Sequence, residues 1–291
     1  MTKTIEKIIP RPEKPGMVGD GFRVFHFIPG PHISQRRISP FLVLDFNAET
    51  YFPPSEKQRG VDVHPHKGFE TVTIAYKGSV AHHDSTGNSG IINPGDVQWM
   101  TAGSGILHKE YHEKEFSNKG GPFEMVQLWV NLPKKDKSTP PHYQAITANK
   151  MGKVQLADEG GVVNVIAGNL SGVTGPAFTY SPVNLFDIKL NIDGVFNAAI
   201  PASHNTAVLI INGNVQVNDT PVAEHSFVLF GNEGQDIVIK ANEGAVVLLL
   251  SGEPINEPIA SYGPFVMNTQ LEIYEAIEDF QAGKGGGRGI C

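Results

Sequence analysis

Two histidines separated by a single residue, His64 and His66, open an alternating apolar run in "HPHKGFETVTIAYKG". In a strand, side chains two residues apart lie on the same face, so both imidazoles would project together. A second pair with the same spacing, His108 and Glu110, follows in "GILHKEYHE". Buried imidazoles need a partner for their lone pairs, and a metal ion is such a partner. The two pairs together predict a metal site of three imidazoles and one carboxylate.

This ligand set suits a divalent first-row metal, but it does not choose among iron, manganese, nickel, copper, cobalt and zinc. Four protein ligands on an octahedral metal leave two positions open, as activation of dioxygen beside a chelating substrate requires. An isolated His-x-His is more often a surface pair or a hydrogen-bonded core pair. The second pair, which follows the "PGD" turn at residues 94–96, favours the metal interpretation and an open site for catalysis or sensing.

Other polar residues near these pairs have less definite roles. Glu70 has the parity of the first histidine pair, and it could be a fifth ligand, an ion-pair partner, a support for a ligand or an exposed strand residue. His82, His83 and His112 are expected at the surface or at strand edges. Three aromatic residues in strand patterns are expected in the core or the pocket wall: Trp99, Phe123 and Trp129.

The composition favours a β-rich globular protein. The chain has 291 residues, 40% hydrophobic and 18% charged, with 32 glycines and 21 prolines spread along it. Between Phe41 and Val130, short β-branched and aromatic runs alternate with turn residues about every eight to twelve positions. This pattern predicts an antiparallel sandwich or barrel.

A second barrel is predicted after a stretch rich in charge and proline, residues 131–144, which we interpret as a linker. The predicted domains are a metal-binding one over residues 1–135 and a metal-free one over residues 136–291. Aligning Gly78 with Gly213 superposes "TVTIAYKGSVAHHD" on "TAVLIINGNVQVND", which indicates an internal repeat. Near the end, Thr269 and Glu272 form a capping box that predicts a helix over about residues 269–282.

Charge and terminal sequences exclude several classes of protein. A formal net charge of -7 argues against direct nucleic-acid binding and against an anionic membrane surface. The chain has neither a signal-peptide pattern nor an apolar run of membrane-spanning length, so we expect a cytoplasmic protein. The single cysteine, Cys291, allows no internal disulfide, and the glycine-rich tail before it is expected to be flexible.

Several long strings resemble the pirin family of the cupin superfamily. They are "HPHKGFETVT", "DSTGNSG", "PGDVQWMTAGSGILHKE", "QLWVNLPKKDKSTPPHYQ" and "GEPINEPIASYGPFVMNTQLEI", and the resemblance extends from about Pro40 to Gln281. It implies an all-β bicupin of two antiparallel β-sandwich (jelly-roll) barrels with a C-terminal helix. It also implies one iron(II) in the N-terminal barrel, with the ligands His64, His66, His108 and Glu110.

The second barrel is interpreted as structural. In the repeat, the positions that correspond to His64 and His66 are Ala199 and Pro201, and the nearest histidine, His204, stands alone. The chain departs from the family pattern where Asp45 runs directly into Phe46 and then "NAETYFPPSEKQRG". That loop is expected to border the pocket mouth and to affect which substrates fit.

The resemblance also implies a function for this chain, because several pirins are similar in activity to quercetin 2,3-dioxygenase. The resemblance predicts a dioxygenase (a quercetinase) that takes a small aromatic substrate and O2, opens the ring of a flavonol and releases carbon monoxide. Glu110 would act as the base that deprotonates the flavonol. One alternative is an iron-dependent, redox-responsive transcriptional co-regulator with a protein partner, and a further one is a metal-stabilised binding module without turnover.

Overall fold

The computed structural model describes residues 1–284, which are mostly strands. The strands of the first half are β1 (Ile5–Ile9), β2 (Gly16–Val18), β3 (Phe22–Ile28), β4 (Phe41–Phe52), β5 (Gly60–His66), β6 (Phe69–Lys77), β7 (Val80–Asp84), β8 (Ser89–Ile92), β9 (Val97–Thr101), β10 (Ile106–His112), β11 (Gly121–Asn131) and β12 (His142–Ile146).

The second half continues in the same manner. Its strands are β13 (Gly152–Gln155), β14 (Gly161–Ala167), β15 (Asn169–Leu170), β16 (Val173–Thr174), β17 (Val183–Leu190), β18 (Val195–Ala199), β19 (Asn205–Asn212), β20 (Val215–Val217), β21 (Thr220–Val222), β22 (Phe227–Phe230), β23 (Asp236–Ala241), β24 (Ala245–Gly252), β25 (Ala260–Tyr262) and β26 (Phe265–Met267). The helices are α1 (Lys114–Lys119) and α2 (Gln270–Gln281), with short 3-10 turns at Lys134–Asp136 and Ala157–Glu159.

The chain forms two compact units, each with its own antiparallel barrel. Of the described residues, the first barrel comprises 14–29, 41–148 and 255–284, and the second comprises 1–13, 30–40 and 149–254. These units differ from the predicted domains, residues 1–135 and 136–291, because each unit is assembled from separate stretches of the chain. Strand β1 pairs with β22 of the second barrel, while helix α2 packs on β25 and β26 in the first, so each end of the chain lies with the barrel formed by the opposite half.

The two barrels repeat one topology, as the sequence alignment predicts. The first has sheets in the orders β12-β9-β6-β11-β4-β3-β2 and β5-β10-β7-β8, and the second has β1-β22-β19-β24-β17-β14-β13 and β18-β23-β20-β21. Gly78 (φ 74°) and Gly213 (φ 77°) occupy the same turn of each barrel, a backbone conformation that L-residues rarely adopt. The predicted fold class, a bicupin with a C-terminal helix, is confirmed.

The interior of the second barrel is apolar. Phe196, Ala198 and Ile200 belong to its buried core, whereas Ala199 and Pro201 are exposed. The sequence alignment of His64 and His66 with Ala199 and Pro201 is therefore wrong by one residue. The turns that follow the two strands differ in length, and a slip of one residue moves a strand position to the opposite face. His204 is buried, and its Nδ1 is hydrogen-bonded with Ser251 at 3.0 Å.

The stretch predicted as a linker, residues 131–144, is part of the first barrel. Strand β12 pairs with β9 over its full length. Lys137 is buried, and its ammonium donates to the carbonyl oxygens of Gly68 and Val266 at 2.7 and 3.0 Å and to Asn131 Oδ1 at 2.7 Å. The interpretation as a linker was therefore wrong. The ammonium of Lys137 is hydrogen-bonded to buried carbonyl oxygens and is not solvated, as the charge of a linker residue would be.

The C-terminal helix begins as predicted, with Thr269 accepting from the backbone of Glu272 in a capping box. Its buried side chains are Ile273 and Ala276, and Asp279 pairs with Lys67 at 3.0 Å. The predicted flexible tail falls mainly on residues 285–291, outside the described part of the chain. Within residues 1–284, no helix has the length and apolar character needed to cross a bilayer.

Candidate metal centre

Strands β5 and β10 bring the predicted residues together. They are antiparallel neighbours, with His108 opposite His64 and Ile106 opposite His66. The register shifts between His108 and Glu110, which marks an irregularity in this part of the ladder. The imidazoles of β5 and β10 therefore extend from the same side of the four-stranded sheet.

The three imidazoles form one cluster. Ring centroids lie 4.8 Å apart for His64 and His66, 4.3 Å for His64 and His108, and 4.8 Å for His66 and His108. Their potential ligand atoms all lie within 4.8 Å of one another. This cluster could hold a metal ion.

The lone pairs of the cluster are available to a cation. His64 Nδ1 lies 2.8 Å from the carbonyl oxygen of Asp62. A carbonyl can only accept, so Nδ1 carries the proton and Nε2 is left with its lone pair. Nδ1 of His66 and both ring nitrogens of His108 are buried without a hydrogen-bond partner. Buried polar atoms are rarely left unpaired, so the donor set fits a bound metal.

Burial also favours the ligand form of the three rings. Removal from water lowers the pKa of His64, and it lowers the pKa values of His66 and His108 well below the ordinary histidine value. Neutral imidazole, the form that binds metals, is thus the stable form near neutral pH.

Glu110 lies beside the cluster but outside the group of mutually close ligand atoms. It is buried, with 6% of its surface exposed, and its Oε1 accepts a hydrogen bond from Thr73 Oγ1 at 3.4 Å. Burial raises the pKa of Glu110 to about 7. Its role as the fourth ligand stays a prediction.

A cavity of about 360 Å³ adjoins the cluster, lined in part by His64, His66 and Glu110. This volume lies at the lower end of the range for pockets that enclose small organic ligands. Trp129 lies in the wall, stacked on Phe69 at 4.2 Å between ring centroids and edge-on to His66 at 5.1 Å. Most of the lining is apolar: Val18, Phe22, Val24, Val61, Met125, Trp129 and Pro264.

Family models match both barrels of the chain. The model described as pirin matches residues 21–130, and the model described as the pirin C-terminal cupin domain matches residues 185–286. This chain belongs to the pirin family. The matched ranges include all four predicted ligand positions.

Relatives within the pirin family are similar over nearly the full length. A Pseudomonas aeruginosa protein named "Putative quercetin 2,3-dioxygenase" is 48% identical over 92% of this chain and 93% of its own. The crystal structure of quercetin 2,3-dioxygenase from Acinetobacter baumannii has a TM-score of 0.93 at 45% identity, covering 99% of both chains. Pirin from Rattus norvegicus is 36% identical over 93% of this chain and 90% of its own.

Three histidines outside the cluster were expected at the surface or at strand edges. His83 is exposed and bonded with the hydroxyl of Tyr111. His82 and His112 are buried, which corrects the expectation for both. His82 lies opposite Glu110 in the ladder and stacks on Tyr143 at 5.0 Å. His112 Nε2 donates to the carbonyl oxygen of Gly21 at 2.8 Å.

Glu70 is a buried residue in this pirin, with 1% of its surface exposed. Its Oε1 accepts a hydrogen bond from Thr101 Oγ1 at 2.7 Å, and it is not part of the histidine cluster. Strand parity does not extend from His64 and His66 to Glu70, because Gly68 (φ 90°) turns the chain between β5 and β6.

The sequence placed the segment after Asp45 at the pocket mouth, but it did not identify which polar side chains line the cavity. Asp45 and Asn47 line the cavity from β4, and Gln127 lines it from β11. The segment after Asp45 is strand up to Phe52 rather than the predicted loop. The signal that could have identified these residues is period-2 spacing of polar side chains in otherwise apolar strands.

Proposed function

We propose that this chain is a metal-dependent dioxygenase of the pirin type that opens the ring of a flavonol such as quercetin with O2 and releases carbon monoxide. The observation that carries the proposal is that the clustered imidazoles of His64 and His66 and the carboxyl of Glu110 share one cavity of about 360 Å³. Such a cavity would bring an organic substrate directly to a metal held by the cluster.

The proposed ligands of one divalent first-row metal are His64, His66, His108 and Glu110. Iron(II) is the proposed metal. When bound, the metal would supply Lewis acidity to the chelating oxygens of the substrate and mediate the reaction with O2.

Glu110 is the proposed proton acceptor. A carboxylate has two oxygens, so one group can bind a metal and also take a proton. Thr73 Oγ1 donates to Glu110 Oε1 at 3.4 Å and accepts from Gln127 Nε2 at 3.2 Å, and these contacts orient the carboxyl. The hydroxyl beside the flavonol carbonyl would lose its proton to Glu110, which makes the ring electron-rich for attack by O2.

The apolar part of the cavity wall would bind the substrate and shield it from water. Phe22, Val24 and Met125 present apolar surface that can pack on the faces of a flat ring and exclude water. The stacked pair of Phe69 and Trp129 holds the wall beside His66 in one arrangement.

The experiment is purification without oxygen, determination of the metal by mass spectrometry, and addition of quercetin in air. We expect loss of flavonol absorbance together with release of carbon monoxide. His64→Ala and Glu110→Gln should lower turnover at least about 100-fold, while the exposed His83→Ala should leave it unchanged.

Absence of turnover with every first-row metal, in protein shown to hold one equivalent of metal, would contradict the dioxygenase. That outcome would favour the redox-responsive regulator, in which oxidation of the metal changes a protein-binding surface.

A further inference from the structure

One wall of the cavity carries a short row of polar side chains. Strands β4 and β11 are antiparallel, with Asp45 opposite Gln127 and Asn47 opposite Met125. Cross-strand partners lie on the same face of a sheet, and all four line the cavity. The polar groups of this row therefore face whatever occupies the cavity.

Asn47 is the unusual member of the row. It is 2% exposed, and neither its Nδ2 nor its Oδ1 has a hydrogen-bond partner. A buried side-chain amide is normally bonded at both atoms, and an unpaired one destabilises the fold. An unpaired amide in a cavity wall suggests that a ligand supplies the missing partners.

Neighbouring polar groups are already bonded within the protein. Asp45 Oδ1 pairs with His26 Nδ1 at 2.6 Å. Gln127 Nε2 donates to Thr73 Oγ1 at 3.2 Å. These bonds hold the two flanking side chains in place, whereas the amide of Asn47 offers the N–H donors of Nδ2 and the acceptor Oδ1 to a ligand.

The surroundings of Asn47 restrict what that ligand group can be. Phe22, Val24, Val61 and Met125 line the same cavity and offer only apolar surface. A flat aromatic ring can pack against these side chains, and a phenolic hydroxyl on it can both donate and accept a hydrogen bond. Two neighbouring oxygen substituents on an aromatic ring therefore match the amide and its apolar surroundings together.

We propose that Asn47 forms a specificity subsite for ring hydroxyls of the aromatic substrate that are remote from its metal-chelating oxygens. The inference rests on the proposed function and narrows its substrate class to polyhydroxylated aromatics. A pocket whose buried polar group is left unpaired by the wrong substrate rejects that substrate strongly. Flavonols without remote hydroxyls should therefore bind poorly.

The test measures equilibrium binding under argon, so that no turnover is needed, with the metal that copurifies with the protein. The probes are quercetin and 3-hydroxyflavone, which shares the chelating hydroxyl and carbonyl but has no other hydroxyl. Wild type should bind quercetin at least about tenfold more tightly, and Asn47→Leu should remove this preference. Asn118→Leu, the same change on an exposed position of helix α1, should bind as wild type does.

A second measurement separates a binding role from a structural one. Leucine shares the branched shape of asparagine and has no polar atom to satisfy, and the cavity that Asn47 lines has room for its larger methyl groups. Ligand-free Asn47→Leu should therefore melt at a higher temperature than wild type. A lower melting temperature would show that the amide stabilises the fold and would overturn the inference. Asn47→Thr, in which a hydroxyl replaces the amide as donor and acceptor, should retain part of the preference for quercetin.

Equal affinity of wild type for the two flavonols, or wild-type affinity of Asn47→Leu for quercetin, would overturn the inference even if quercetin is turned over in air. Selective binding that depends on Asn47, without turnover, would support the subsite and contradict the dioxygenase. Failure of the Asn47 subsite and failure of the proposed dioxygenase activity therefore give different results.

Discussion

His108 is the direct cross-strand partner of His64, and the centroids of their rings lie 4.3 Å apart. Two protonated imidazoles at this distance would repel each other strongly in a buried site. Neutral rings with unpaired lone pairs are stable there only if a cation or a proton donor satisfies them.

His108→Ala should abolish stoichiometric metal binding. The variant loses one of the three rings of the cluster, so the affinity for a divalent metal should fall at least about 100-fold. Metal analysis after gel filtration checks this, with His83→Ala as the matched change on an exposed histidine of the same barrel. Retention of one equivalent of metal by the His108 variant would place the binding site elsewhere.

His112→Phe should destabilise the protein without affecting the metal. The ring packs on Phe52 and Phe123 at 4.6 and 4.8 Å between centroids, and phenylalanine preserves this packing. The carbonyl of Gly21 loses its donor, so the free energy of unfolding should fall by about 1–3 kcal/mol. Urea unfolding measures the change, and a loss of bound metal in this variant would contradict the separation of the two histidines.

Glu70 should make stability depend on pH. Burial raises its pKa to about 7 from an ordinary value of 4.5. Between these values the folded state binds more protons than the unfolded state, so the contribution of Glu70 to stability falls as pH rises. Glu70→Gln should therefore gain roughly 2–3 kcal/mol more stability relative to wild type at pH 8 than at pH 5.

Urea unfolding of wild type and the Glu70 variant at both pH values checks this expectation. Glu56→Gln, the same change on an exposed carboxyl, is the control. An equal effect of Glu70→Gln at pH 5 and pH 8 would mean that the buried carboxyl is ionised throughout.

Lys137→Met should loosen the segment around Pro264. The ammonium of Lys137 bonds the carbonyl oxygens of Gly68 and Val266, and methionine leaves both buried acceptors unpaired. We expect about 3 kcal/mol lower stability and faster amide exchange over residues 264–268. The exposed neighbour Lys135→Met is the control. Unchanged exchange in that segment would show that Lys137 does not hold it.

Local periodicity predicts much of the fold and part of the site. Short apolar runs between turns are local properties, and so is the spacing of His64 and His66 on one strand face. The same rule applies to His112, which shares its parity with His108 and Glu110 in β10 and is buried with them. Strand parity therefore predicts a buried His112, in contrast to the expectation of a position at the surface or a strand edge.

Long-range pairing could not be predicted in this way. The contact of β1 with β22 joins residues more than 200 positions apart, and no local pattern specifies it. The same holds for Pro264, which lines the cavity from the far end of the chain. Asn47 belongs to the segment that was expected at the pocket mouth, but the interpretation of that segment as a loop removed the strand parity that places its side chain in the wall.

The position of Pro264 and β26 in the first barrel determines when that barrel can be completed during synthesis. Residues 149–254, which belong to the second barrel, are translated between the two pieces of the first. At about 5–20 residues per second, the ribosome needs about 5–20 s to add these 106 residues. During that interval the nascent chain presents its histidines without the residues that cover them, so the cavity is completed only when synthesis is nearly finished.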